Sequence, residues 1–198
     1  MKTILQLTLI SIIFFGCGDD NKEESVISYQ NINVSINSIN YTFELYLMCY
    51  YASPEDSSAS ILVDIDNDNN IDLELSVSHH MEYVLPSRCE DIIETCFIKS
   101  ISSSYSIAKL NVNCVKTFNQ NESINNNNVW ETEAIINDSF QYCSNNDTII
   151  IGIRNIEADK INYGWLRCRF DRYRHQLVIF DCAYNLTNNN EIFAGQIN

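Results

Sequence analysis

Residues 162–184 read NYGWLRCRFDRYRHQLVIFDCAY. In the first part Leu166, Cys168 and Phe170 alternate with Arg167 and Arg169, the period of two that sends successive side chains to opposite faces of a strand. A second run, Gln176–Tyr184, is rich in β-branched and aromatic residues, and the polar segment Asp171–Arg174 joins the two as an antiparallel pair. The same alternation recurs upstream. Tyr41, Phe43, Leu45 and Leu47 share one face of a strand, and Leu73, Leu75 and Val77 share another. Further strands are predicted over 27–36, 61–65, 96–101, 107–112 and 148–153; two segments, 91–100 and 131–137, also fit short helices. Short strands separated by polar turns predict a single all-β domain, an antiparallel β-sandwich or a partly closed barrel.

The turns must be made without the usual residues, because the 198-residue chain has only five Gly and two Pro. Asn, Asp and Ser take over, since they bond their own backbone and tolerate left-handed conformations. The Asn runs 125–128 and 188–190 are loops on this reading. So few glycines also leave no phosphate-cradling loop and no nucleophile elbow. With 26 Asp and Glu against 12 Lys and Arg, the net charge of −14 excludes a nucleic-acid partner, which needs clustered positive charge.

Ahead of this domain, residues 1–17 read MKTILQLTLISIIFFGC: one Lys, an apolar run from Ile4 to Phe15, and Gly16 before Cys17. The run is too short for a good membrane span, which needs about 20 residues, and fits an export signal. Its small-residue-then-Cys ending resembles the lipobox of bacterial lipoproteins. The resemblance implies cleavage after residue 16, acylation of Cys17, and anchoring in the outer membrane of the cell envelope through that lipid. Each buried methylene contributes about 0.8 kcal/mol, so several acyl chains hold a protein essentially permanently. Residues 17–26 then form a polar, acidic tether, and the folded domain spans 27–198. Acidic residues directly after the cysteine also resemble the surface-export signal of some Gram-negative lipoproteins; the alternative is a plain spacer.

Lipid attachment changes the cysteine arithmetic. Of eight cysteines, those beyond Cys17 are Cys49, Cys89, Cys96, Cys114, Cys143, Cys168 and Cys182, an odd number that allows three disulfides and a leftover thiol in an oxidising compartment. Cys89 and Cys96 are close enough to close a small loop and are the first expected pair; the alternative is buried free thiols acting as small hydrophobes.

The most informative polar stretch is VDIDNDNNIDLEL, residues 63–75. Asp64, Asp66, Asp68, Asn70 and Asp72 fall on alternate positions of one loop between two strands. A hard cation takes six to eight oxygens, and carboxylates this close repel one another unless a cation sits among them. The spacing resembles the D-x-D-x-D-G-x-x-D loops of bacterial calcium-binding repeats, and the resemblance implies a structural Ca²⁺. Asn69 stands in place of the glycine of that pattern, the next most tolerant residue for a sharp turn. Leu75 takes the place of the bidentate Glu of an EF-hand, so no helix-loop-helix site is expected. The alternative is a solvated acidic connection.

Several pieces of the C-terminal half, Ile151-Gly152-x-Arg154, Tyr163-Gly164-Trp165-x-Arg167, Asp181-x-Ala183-Tyr184 and Ala194-Gly195, resemble in order a group of secreted or lipid-anchored bacterial β proteins that also carry the acidic loop. That resemblance implies the all-β fold and no particular activity. Arg167, Arg169, Arg172 and Arg174 form the basic cluster of an acidic chain. They mark either an anion or acidic-glycan face or arginines paired with surplus carboxylates. Trp130 and Trp165 suit sugar stacking or the core. Adjacent His79 and His80 face opposite ways on a strand and do not readily share a metal. The expected function is a lipid-anchored binding or structural module with a calcium-stabilised loop, its partner a glycan or a surface protein; the alternative is an envelope hydrolase acting on glycan or peptide.

Overall fold

The computed structural model describes residues 25–37, 57–82, 91–110, 113–138, 148–171 and 176–198, with Cys143 and Arg174. Cys17, the tether before Ser25, the strand expected at 41–47, Cys49, Cys89 and Arg172 lie outside these residues. Thirteen strands are present among the described residues: β1 (Ile27–Asn37), β2 (Ser57–Val63), β3 (Leu73–Glu82), β4 (Asp91–Ser100), β5 (Tyr105–Lys109), β6 (Thr117–Phe118), β7 (Ser123–Ile124), β8 (Val129–Glu131), β9 (Glu133–Asp138), β10 (Ile149–Glu157), β11 (Lys160–Asp171), β12 (Gln176–Asn185) and β13 (Ile192–Phe193). All pair antiparallel, and they do not close into a barrel. The larger sheet has the order β1-β12-β11-β10-β5-β8 with β6 beside β10, the smaller β2-β3-β4-β9, and β13 and β7 form a short ribbon. The all-β sandwich expected from the alternation is the fold.

The β11–β12 pair lies within the larger sheet, flanked by β1 and β10. In the β11–β12 register Gly164 faces Tyr184 and Asp171 faces Gln176, with a shift between Arg167 and Cys168. Leu166 and Cys168 point inward with Leu177, Ile179 and Cys182, and meet Leu73, Leu75, Val77, Cys96 and Ile98 of the smaller sheet in the main core. A fully buried Leu or Ile contributes about 1.5–3 kcal/mol.

The other face of the larger sheet is not simply exposed. Tyr163 and Trp165 alternate outward, yet they are buried beneath the ribbon, where Phe118, Ile124, Ile192 and Ala194 form a second core. This layer explains Gly152 on β10: a Cβ there would stand 2.9 Å from Phe118 and 3.1 Å from Ile124. A side chain at 152 would lift the ribbon from the sheet.

Segments 91–100 and 131–137, compatible with helices in sequence, are strands instead. Cys96, Ile98 and Ser100 point inward along β4, and Ala134 and Ile136 of β9 are likewise buried, the period of two winning once a partner sheet is available. Glu94 shares the inward row of β4 and pairs in register with the equally buried His79 of β3. A charged residue in a core row obscures the apolar alternation.

The expected Cys89–Cys96 bridge is corrected. Cys96 is a free thiol, fully buried in the main core with Cys168. Its inward position on β4 turns its sulfur between the sheets. Cys168 and Cys182 are also free and buried, and among the described residues a disulfide joins Cys114 to Cys143.

Candidate functional site: the 64–72 loop

The loop is the connection between β2 and β3. Antiparallel pairing carries Val63 to Leu73, and the Asp72 N–H donates to the Val63 carbonyl at 3.0 Å, closing it. Fully buried Ile65 anchors the near end in the core, and fully buried Leu73 the far end. Between them Asn67 (φ 65°) and Asn69 (φ 71°) adopt the left-handed conformation, so Asn69 makes the turn expected of the glycine in that pattern.

With the backbone so curled, its N–H groups converge on Asp64. One oxygen accepts from Asn67 at 2.7 Å and Asp68 at 3.2 Å, and the other from Asn69 at 2.7 Å. Asp72, 4% exposed, accepts from the Ile65 N–H at 2.8 Å. Asp66 accepts from the Asp68 N–H at 3.1 Å and from the Tyr105 hydroxyl at 2.7 Å. One oxygen from each of Asp64, Asp66 and Asp72 lies within 4.8 Å of the other two. No Lys or Arg among the described residues forms an ion pair with any of them.

The electrostatic consequence is strongest at the buried end. Burial pushes the Asp72 carboxyl up to about 6, with the charges of Asp66, Asp64 and Asp68 adding to the rise. Burial also raises Asp66, against the lowering effect of the Tyr105 hydrogen bond. Asp68 is lowered, first by its bond from the Asn70 side chain.

Three of the five expected ligands are therefore brought together. Asp68 and Asn70 instead engage each other, the Asp68 carboxylate accepting from the Asn70 N–H at 2.7 Å and its amide at 2.8 Å. A short side chain two residues from a free N–H makes this local turn readily. The three gathered carboxylates suit a hard cation: they are oxygen donors, anionic, and arranged on a closed loop. Oδ2 of Asp64, Oδ1 of Asp66 and Oδ2 of Asp72 each accept one N–H and keep a second lone pair, whereas Oδ1 of Asp64 already accepts two.

Two residues far from the loop hold it against the larger sheet. Tyr105 of β5 reaches Asp66, and the Gln30 side chain of β1 donates to the carbonyls of Asp64 at 3.2 Å and Ile65 at 3.3 Å. Neither was visible in the loop's own spacing. From the smaller sheet, Ile101, just after β4, donates its N–H to the Asp72 carbonyl at 2.8 Å.

Of the basic cluster, Arg167, Arg169 and Arg174 are among the described residues. Arg167 makes a two-bond pair with Asp181, its Nε 2.8 Å from Oδ1, and Tyr29 donates to the same carboxylate at 2.9 Å. Arg174 lies 3.8 Å from Asp171, and Arg169 lies over the Phe180 ring at 5.9 Å. Two of these three arginines thus answer carboxylates. Trp165 is a core residue, 1% exposed, and its indole donates to the Gln196 carbonyl at 3.0 Å.

Comparison with protein-family models finds no match to this chain. Comparisons with curated proteins and with solved structures find no match either.

Proposed function

We propose that this chain is a lipid-anchored protein of the bacterial cell envelope, a binding or structural module whose 64–72 loop takes one structural Ca²⁺. The observation that carries the calcium reading is the convergence of Asp64, Asp66 and Asp72 with no basic side chain among the described residues paired to them. A divalent cation removes that repulsion and gives the buried Asp72 a reason to be ionised. The three carboxylates provide part of its six to eight oxygens, and backbone carbonyls or water complete the shell. Its role there is to fix the loop, since Tyr105 and Gln30 already tie the loop to the opposite sheet. Anchoring rests on Gly16-Cys17 after the apolar run Ile4–Phe15, which resembles a lipobox.

Calorimetry and thermal melting of the chelator-treated chain test the calcium reading. Saturable heat on adding calcium and a rise in melting temperature are expected; a ligand at 100 times its Kd stabilises by about 2.7 kcal/mol. Both signals are expected to vanish in Asp64→Ala. Absence of heat and an unmoved melting temperature at millimolar calcium in the unmutated chain would sink it.

A further inference from the structure

Arg154 differs from Arg167 and Arg174, which pair with carboxylates. It sits on β10, on the outer face of the larger sheet at the margin of the second core. Its guanidinium stacks on the Trp130 ring at 4.8 Å, its Nε donates to the Ser106 hydroxyl at 3.1 Å, and its Nη1 donates to the Asn126 side-chain oxygen at 3.2 Å. All three partners are neutral. In a chain of net charge −14, no carboxylate among the described residues pairs with it. By contrast Arg167 has Asp181, Arg174 has Asp171 and Lys116 has Glu122.

The position is also fixed in advance. A guanidinium has five N–H donors, and two are used here, leaving three in a planar array. The stack and two hydrogen bonds hold that plane, so little side-chain freedom is lost when an anion arrives. Trp130 is itself braced by Tyr163, with ring centroids 6.0 Å apart. Burial lowers the Arg154 pKa from its ordinary value, as expected of a guanidinium with no anion beside it.

We infer that Arg154, presented by Trp130, Ser106 and Asn126, is a binding site for the carboxylate of an acidic sugar of the uronic acid class. The planar array matches a carboxylate's two oxygens. Asn126, exposed on the 125–128 loop and bonded to Arg154, presents an amide whose N–H groups can donate to ring hydroxyls. The site lies outside the acidic loop and does not depend on calcium.

The test uses the full chain in detergent with chelator present, so that failure of the calcium reading leaves it untouched. Glucuronate is titrated against calorimetry and tryptophan fluorescence, with glucose, acetate and sulfate as comparators. Saturable glucuronate binding is expected, with each comparator at least about tenfold weaker. Arg154→Gln and Arg154→Lys should each weaken glucuronate about tenfold or more, the latter because an ammonium keeps the charge and loses the planar array. The inference is overturned if the unmutated chain shows no saturable glucuronate binding up to about 10 mM. It is equally overturned if acetate or sulfate binds as well as glucuronate, or if a folded Arg154→Lys binds glucuronate like the unmutated chain.

Discussion

Asp72 carries the largest electrostatic cost in the acidic loop. It is a 4% exposed carboxylate that, among the described residues, accepts from the Ile65 N–H, and its pKa rises to about 6. Because the folded state holds this proton more tightly than the unfolded chain, where a carboxyl titrates near 3.9, the contribution is fully present below that value. It is lost as pH climbs through about 6. In chelator, the melting temperature of the unmutated chain should therefore fall more steeply between pH 4 and 7 than that of Asp72→Asn, which keeps an oxygen for the Ile65 N–H. Parallel curves would refute the assignment. Residue by residue, the loop was legible because its geometry is local: Asp64, Asp66 and Asp72 share one curl of chain, and Asn69 turns as its position implied. Spacing alone does not reveal that Asn70 bonds the Asp68 carboxylate, which leaves Asp68 outside the gathered group of Asp64, Asp66 and Asp72. Tyr105 and Gln30 were invisible for another reason, lying 39 and 34 residues from their partners Asp66 and Asp64.

Among the strands and turns, asparagine does much of the work of glycine. Of the described non-glycine residues with positive φ, Asn33, Asn67, Asn69, Asn121 and Asn189 share the role, and Ala158 is the exception at φ 52°. Ala158 and Asp159 form the two-residue connection between β10 and β11, with Glu157 facing Lys160. A positive φ at the first central residue alone is the II′ pattern, which favours glycine there. Ala158→Gly is expected to stabilise the protein by about 0.5–1.5 kcal/mol, because alanine pays a steric penalty in that region. Chemical denaturation compares the two chains, and a lower midpoint for the variant would contradict the strain. Elsewhere the elements were readable wherever alternation was clean, as in β11 and β12. Glu94 in the inward row of β4 broke the apolar code and left a helix as an alternative.

At the level of the molecule, two cores are stacked on one sheet, and three free thiols lie wholly within the lower one. Burial lifts Cys168 and Cys182 to about 12 and Cys96 well above its ordinary value, with the thiolate as the disfavoured form. The native protein should leave Cys96, Cys168 and Cys182 unlabelled by iodoacetamide at neutral pH and expose all three in denaturant without reductant. Mass spectrometry of the labelled peptides reads this directly, and rapid native labelling of any one would place it outside the core. The bridge between Cys114 and Cys143 could not be read from the sequence, because the two are 29 residues apart and meet through tertiary packing alone.

The 64–72 loop belongs to the smaller sheet by covalent connection and to the larger one by the side chains of Tyr105 and Gln30. It acts as a hasp across the seam between the two halves of the sandwich. Whatever stiffens the hasp resists the halves parting, so an ion held there would register chiefly as slower unfolding and a longer life against proteases. For the envelope-anchored protein proposed above, persistence of the folded state would then matter more than its equilibrium margin.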